Sequence, residues 1–306
     1  MEIGYDIIVP MTIDNLPVFD INVKWILKNL SCRKILVLAS QDLEKPCRDL
    51  GVEFCNEDRL IDGLTLQNVK KCMEKRIGTS KRAGWYFQQF LKYAYCYCCQ
   101  DEYYIVWDAD TVPLRYIPHM VDDHPFFTKK EEMEPAYFET LDRLFGGEVK
   151  RCADFSFICE NMIFHVGILK EMLDRIMVQP GLEGGTFWER ILNAISDADL
   201  PGSGFSEFET YGNYVMTYYP QLYRLRTLNG MRKGAEYFSL TPTKDQLEWA
   251  AKSYDTIAFE RWSHYHKELG KICASEMVQK LFPFSWITSL KMKISRLREG
   301  IVRKTE

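Results

Sequence analysis

The chain contains no run of about 18 apolar residues, which excludes a transmembrane helix by length. Its first turn, Val9-Pro-Met-Thr-Ile-Asp14, carries no Gly-x-Gly-x-x-Gly, so a dinucleotide-dependent dehydrogenase loses its main support. A Walker A sequence is missing as well. Basic residues are not in excess: a formal charge of −4 over 306 residues argues against a general nucleic-acid binder, which carries a broad basic footprint. The ten cysteines form no regular framework, and Cys96-Tyr-Cys-Cys99 holds a single C-x-x-C where a structural zinc needs two more ligands. The opening Met-Glu-Ile-Gly-Tyr-Asp has neither the basic nor the apolar region of a secretory leader, so reduced thiols and a cytoplasmic location are expected.

What is present reads as a globular α/β protein. Hydrophobic residues make up 46% and charged residues 27%, while 14% aromatics is high and suits a protein that stacks on sugar or base rings, or simply a large aromatic core. The first half alternates strand and helix signals: a strand over 5–10, a helix near 16–30, a strand over 34–39, a short helix near 43–50 and a strand over 52–55. Short crossovers of this kind predict a doubly wound, mostly parallel sheet flanked by helices. No linker interrupts the chain, and a single domain over 1–280 is expected, with halves over 1–115 and 116–280, followed by a C-terminal helix (281–306).

The most informative segment is Tyr103-Tyr-Ile-Val-Trp-Asp-Ala-Asp-Thr-Val-Pro-Leu114. An apolar strand delivers Asp108 and Asp110 to its C-terminal end, where open α/β sheets bind ligands. With one residue between them, both carboxylates point to the same side of extended chain, as a divalent cation on a diphosphate requires. Ahead of this strand, a helix from Gly84 to Cys99 offers Lys92 to a phosphate and Gln88 or Gln89 to a base or a sugar hydroxyl, with Arg82 as a further contact; a solvated polar face would explain the same residues. Later, Glu160-Asn161 interrupts an apolar stretch, either as a turn or as contacts to acceptor hydroxyls.

These segments resemble the GT-A glycosyltransferases, with Val9-Pro-Met-Thr12 after the first strand and Trp107-Asp-Ala-Asp-Thr-Val-Pro113 as the DxD segment. More narrowly, the chain resembles, over roughly residues 3–265, the bacterial DUF6492 family, found among genes for capsule, lipopolysaccharide and other surface glycans. The resemblance implies a GT-A-like fold, a nucleotide-sugar donor such as a UDP-sugar, a glycan or lipid-linked acceptor, and Mn²⁺ or Mg²⁺. It makes Asp110 a direct metal ligand, Asp108 a ligand to the ribose or to metal-bound water, and Thr12 and Asp14 donor contacts. A histidine often closes such a metal site late in the chain, and Arg261-Trp-Ser-His-Tyr-His266 supplies His264.

Inverting transfer also needs a carboxylate near the acceptor hydroxyl. Gly202-Ser-Gly-Phe-Ser-Glu-Phe-Glu-Thr-Tyr-Gly212 presents Glu207 as the candidate base and Glu209 as a second carboxylate, although capping and the helix dipole alone favour acids in a first turn. From Trp286 on, Ile287, Leu290, Ile294, Leu297 and Ile301 form a stripe beside Lys291, Lys293, Arg296, Arg298, Arg303 and Lys304. A basic amphipathic helix of this kind suits either an anionic membrane surface, on the inner face of the cytoplasmic membrane through 284–304, or packing on the domain or a second subunit. Two other functions fit less well: a nucleotidyltransferase, which would carry a glycine- and lysine-rich phosphate loop after the first strand, and a non-catalytic glycan-binding protein with a degenerate site.

Overall fold

The computed structural model describes residues 4–302, with side chains through Lys293. It is a mixed α/β fold with a parallel-rich central sheet and flanking helices. The sheet runs in the order Glu53–Asn56, Cys32–Ala39, Tyr5–Pro10, Tyr103–Trp107, Asn161–His165. The first four strands are parallel and the last pairs antiparallel with Tyr103–Trp107, placing Asn161 opposite Trp107. Tyr5–Pro10 and Tyr103–Trp107 are buried along their whole length, as continuous apolar strands covered on both faces must be.

The predicted elements of the first half are present, with boundaries shifted by a few residues. A helix spans Leu16–Asn29, another Glu44–Leu50, and a third Ala83–Ala94, continued by a 3-10 turn at Tyr95–Tyr97. In the apolar stretch interrupted by Glu160-Asn161, only Asn161–His165 joins the sheet, and the part before it is irregular apart from a bridge from Ser156 to Lys130. The acidic segment at 207 begins a helix, Glu207–Tyr218. Ser206 sets that start by accepting a hydrogen bond from the Glu209 amide.

The chain divides into two compact units that interleave along the sequence. The first comprises residues up to Asp14, Ser31–Asp108 and Pro118–Thr227; the second comprises Asn15–Leu30, Ala109–Ile117 and the chain from Leu228 onward. The physical reason for the interleaving is local. Helix Leu16–Asn29 carries two buried asparagines, and Asn22 Nδ2 donates to the carbonyls of Ala109 (3.0 Å) and Thr111 (2.8 Å) while Asn29 Nδ2 donates to Pro113 (2.7 Å). Amides of this kind satisfy an otherwise unpaired edge, which a periodicity count cannot foresee.

Unit one holds the central sheet, and its core is aromatic: Phe90 meets Phe187, Trp188 and Phe205, and Phe164 meets Tyr93, Tyr104, Phe208 and Tyr211. Gly212 allows helix Glu207–Tyr218 to lie against Phe157, since a Cβ there would stand 2.3 Å from that ring. Unit two holds a small sheet ordered Gly230–Met231, Thr256–Ala258, Thr111–Pro113, and a core around Trp249, Phe238, Ile257 and Phe284.

The C-terminal helix, Phe284–Val302, splits the expected stripe. Ile287 joins Phe284 in the core of unit two, whereas Trp286 and Leu290 are exposed. The side chains of Ile294, Arg296, Leu297, Arg298 and Ile301, together with Arg303 and Lys304, lie outside the described residues. No helix among the described residues is long and apolar enough to cross a membrane.

Candidate active site

In unit one, the buried strand Tyr103–Trp107 ends at Asp108, whose backbone amide is held by the Glu160 carbonyl at 2.9 Å. Helix Ala83–Ala94 runs beside it because Tyr86, Phe87, Phe90 and Leu91 bury its apolar face. That packing carries Lys92 inward. Its Nζ lies 2.9 Å from Asp108 Oδ1 and 2.7 Å from Glu207 Oε1, and 4.5 Å from the centroid of the Phe208 ring. The lysine side chain is 4% exposed, that of Glu207 5%, and that of Asp108 34%, so the cluster is closed at the glutamate and open at the aspartate.

Electrostatics explain why the cation survives burial. Desolvation works to lower the Lys92 pKa, and the charges and hydrogen bonds of Asp108 and Glu207 overcome it, holding the ammonium above the ordinary lysine range. Burial pushes the Glu207 carboxyl up, Lys92 pulls it down, and the neighbouring Asp108 charge adds to the rise; the net direction is upward. With both carboxylates ionised, one ammonium faces two anions and the cluster keeps one uncompensated negative charge.

The start of helix Glu207–Tyr218 is fixed from below. Gln89 Oε1 accepts the Glu207 amide at 3.1 Å, satisfying one of the donors that every helix N-terminus leaves unpaired. Tyr93 donates its hydroxyl to the Glu207 carbonyl, and Tyr104 donates to the Lys92 carbonyl. Arg82 grips the preceding turn, donating to the Gly202 carbonyl and the Ser203 hydroxyl at 3.0 Å each, with its guanidinium 4.3 Å from the Trp85 ring. Gln89 and Arg82, read in sequence as donor contacts, are thus occupied in placing Glu207. Gln88 is half-buried beside them, and Thr12 and Asp14 are exposed just beyond strand Tyr5–Pro10. Tyr93 and Phe208 carry no signal in the sequence that separates them from other core aromatics.

Glu209 has a different task. Its Oε1 accepts from the Ser156 hydroxyl and from the Phe157 amide (3.0 Å), its Oε2 from Asn213 Nδ2 (3.1 Å), and it is 2% exposed. Both oxygens accept hydrogen bonds inside the protein, so this carboxylate pins the irregular 156–157 segment. Glu160 pairs with Lys130 at 3.2 Å. Asn161 is buried with Oδ1 3.0 Å from His119 Nε2, and its Nδ2 has no acceptor, at the strand position opposite Trp107.

The other two expected metal ligands belong to unit two. The Asp110 carbonyl accepts from the Phe259 amide at 2.8 Å, extending the pairing of Thr111–Pro113 with Thr256–Ala258. His264 is exposed in the irregular stretch six residues past that strand. The one grouping among the described residues with three ligand atoms mutually within reach of an ion is Asp6, Cys99 and Asp101. It is already neutralised: Arg33 bridges both aspartates, Tyr95 donates to Asp6 at 2.7 Å, and burial raises the Cys99 thiol.

No protein-family model matches the chain, so the resemblance to DUF6492 has no counterpart there, and no curated protein matches it in sequence. Solved structures do. The bifunctional glycosyltransferase WbbM in its apo form is 12% identical at a TM-score of 0.46, over 85% of this chain and 46% of that one. Mouse xyloside xylosyltransferase 1, also apo, is 12% identical at 0.45, over 86% of this chain and 99% of that one. The apo glycosyltransferase GlyE of Streptococcus pneumoniae TIGR4 is 10% identical at 0.39, over 96% and 64%. These structural neighbours are glycosyltransferases. The chain spans about half the length of the WbbM chain it matches.

Proposed function

We propose that the chain is a metal-dependent glycosyltransferase that moves a sugar from a nucleotide-sugar donor, UDP-linked, onto a growing surface glycan or lipid-linked acceptor. The observation that carries the reading is the buried Lys92 held between Asp108 and Glu207 at the C-terminal end of a central parallel strand. A structural ion pair needs one anion. Here a fully desolvated ammonium faces two, and the surplus negative charge lies on the partly exposed aspartate.

That surplus fits Mn²⁺ or Mg²⁺, hard cations that select carboxylate oxygen. The resemblance assigns the ion to Asp108, Asp110 and His264, and when bound it would supply Lewis-acid stabilisation to a departing diphosphate. The chain's own residues supply the rest. Lys92 holds Asp108 in place, the Asn161 amide offers an unpaired buried donor to a sugar hydroxyl, and Glu207 accepts the acceptor's proton at its carboxylate, making the outcome inverting. A carboxyl raised toward neutrality by burial is the usual state of such a base. The test is release of nucleoside diphosphate from a panel of UDP-sugars with Mn²⁺ and with EDTA. Metal-dependent release is expected for at least one donor, and none from any donor would sink the reading.

A lipid-linked acceptor is the reading we favour, and a surface in unit two supports it. Ile272, Met277, Leu281, Trp286 and Leu290 are exposed there, and a groove of about 840 Å³ runs between Leu269, Ile272, Phe282, Trp286 and Leu290, edged by Lys267 and Lys291. From Lys267 onward the sequence holds nine Lys and Arg against four acids, whereas the preceding part holds thirty against thirty-nine. An apolar shelf in a basic region of an acidic protein fits the headgroup layer of an anionic bilayer, at about 1 kcal/mol per basic residue near the surface. Sedimentation with vesicles should show binding to phosphatidylglycerol-containing membranes that fades with salt and falls with Trp286→Ser/Leu290→Ser. Equal binding to neutral vesicles, or a dimer in ultracentrifugation that the same changes dissolve, would reject it.

A further inference from the structure

A second cleft, of about 890 Å³, opens in unit one between helix Leu66–Ile77 and helix Phe187–Ala194. It is built without any residue of the Lys92 cluster. Lys71 and Lys75 stand on one face of the first helix, four residues apart and exposed, and neither has an anionic partner among the described residues. Like charges at this spacing repel, so the pair is a standing cost unless something anionic meets it. The neighbouring Arg76 is no substitute: it donates to the Leu192 and Ile195 carbonyls and pairs with Asp197, tying the two helices together.

Glu183 and Glu189 also line the cleft, and beside them its amides are suited to hydroxyl groups. Asn68 and Asn193 spend their amide donors on the Gly63 and Glu183 carbonyls and leave their side-chain oxygens free to accept. In the wall, Trp188 is 4% exposed and its indole Nε1 has no acceptor. A buried donor left unpaired is expensive, and a ligand that enters and shifts the wall gains that bond. The indole ring itself lies tilted against Phe90 in the core, so the cleft offers no open aromatic face on which a nucleobase could stack.

Chemistry other than binding has no support here. Burial holds the Cys72 thiol above its ordinary range, with the Glu189 charge adding to the rise, and Glu189 is spent capping its own helix through the Gly185 and Thr186 amides. From two unpaired lysines, amide oxygens positioned for hydroxyls and the absence of a stacking face, we infer that this cleft binds a saccharide bearing an acidic group, a uronate or a sugar phosphate, apart from the transfer site.

Titration of the full chain by calorimetry with a tetragalacturonate, a neutral cellotetraose and inorganic phosphate separates the components. Saturable binding of the acidic tetrasaccharide is expected, at least tenfold tighter than that of either other probe and lost at least tenfold in Lys71→Glu/Lys75→Glu. The indole N–H resonance assigned by Trp188→Phe should shift with the same titration. Equal affinity for phosphate alone would reduce the site to a simple anion contact and overturn the inference, as would binding unchanged by the lysine variant. Donor hydrolysis by that variant should stay at the wild-type rate, so failure of this cleft and failure of the transferase reading are told apart.

Discussion

Lys92→Met should destabilise the protein by about 3–5 kcal/mol at pH 8, the cost of leaving buried carboxylates without their cation. The sign of its pH dependence follows from the two partners. Lys92 has a folded pKa above its ordinary 10.5, so its contribution is fully present below that value and is lost only at strongly alkaline pH. The wild type is therefore insensitive to this group from mildly acidic to mildly basic solution. In the variant, burial acts on Glu207 unopposed, and its folded pKa rises further above the reference 4.5. A raised carboxyl binds its proton more tightly folded than unfolded, so stability falls as pH climbs through the folded pKa and recovers on acidification.

Urea unfolding of Lys92→Met at pH 5.5 and pH 8 is the measurement. Both proteins should gain stability at the lower pH, because Glu207 is raised in each, and the gain should be markedly larger in the variant, where no cation opposes the rise. Adding Glu207→Gln should recover part of the loss at pH 8, because the amide no longer needs the missing cation. Equal losses at both pH values would mean that Lys92 stabilises through its packed methylenes on Phe208 and not through the ion pairs.

The second large effect concerns chemistry and separates two tasks that the geometry allows Glu207. A glutamine keeps an oxygen at Oε1 to accept from Lys92, so a residue that only positions the lysine should tolerate the change. A base should not. Glu207→Gln is expected to lower transfer to acceptor by about 10²–10⁴-fold, the usual worth of a positioned base, while leaving donor affinity within a few-fold. Asp110→Ala should instead remove Mn²⁺-dependent donor binding in calorimetry and lower turnover by about 10²–10³-fold, the scale for one lost preorganised electrostatic contact. Transfer near the wild-type rate in Glu207→Gln would restrict that residue to a supporting role. Metal-assisted donor binding intact in Asp110→Ala would move the cation site elsewhere.

These expectations differ in how far a linear reading could reach. Asp108 at the end of a buried strand was legible because period, apolar run and terminal carboxylates are all local signals. Ser206 before an acidic first turn was legible as a cap for the same reason. Glu209 was not separable from Glu207 by these means. Two residues apart and both acidic, they differ only in what surrounds them: Ser156, Phe157 and Asn213 close around one, and Lys92 meets the other. Lys92 and Glu207 are 115 positions apart, and no periodicity reports a pairing of that range.

The sequence by itself determined the alternation of strands and helices, the parallel sheet that short crossovers demand, and the placing of an Asp-x-Asp at a strand end. Each depends on neighbours within one or two turns of chain. Only the tertiary structure decided that a lysine is buried between two acids, that Ile287 turns inward while Trp286 stays out, and that the chain is interleaved into two units through the amides of Asn22 and Asn29. Desolvation and long-range hydrogen bonding set these outcomes, and both are properties of what the fold brings together from distant parts of the chain.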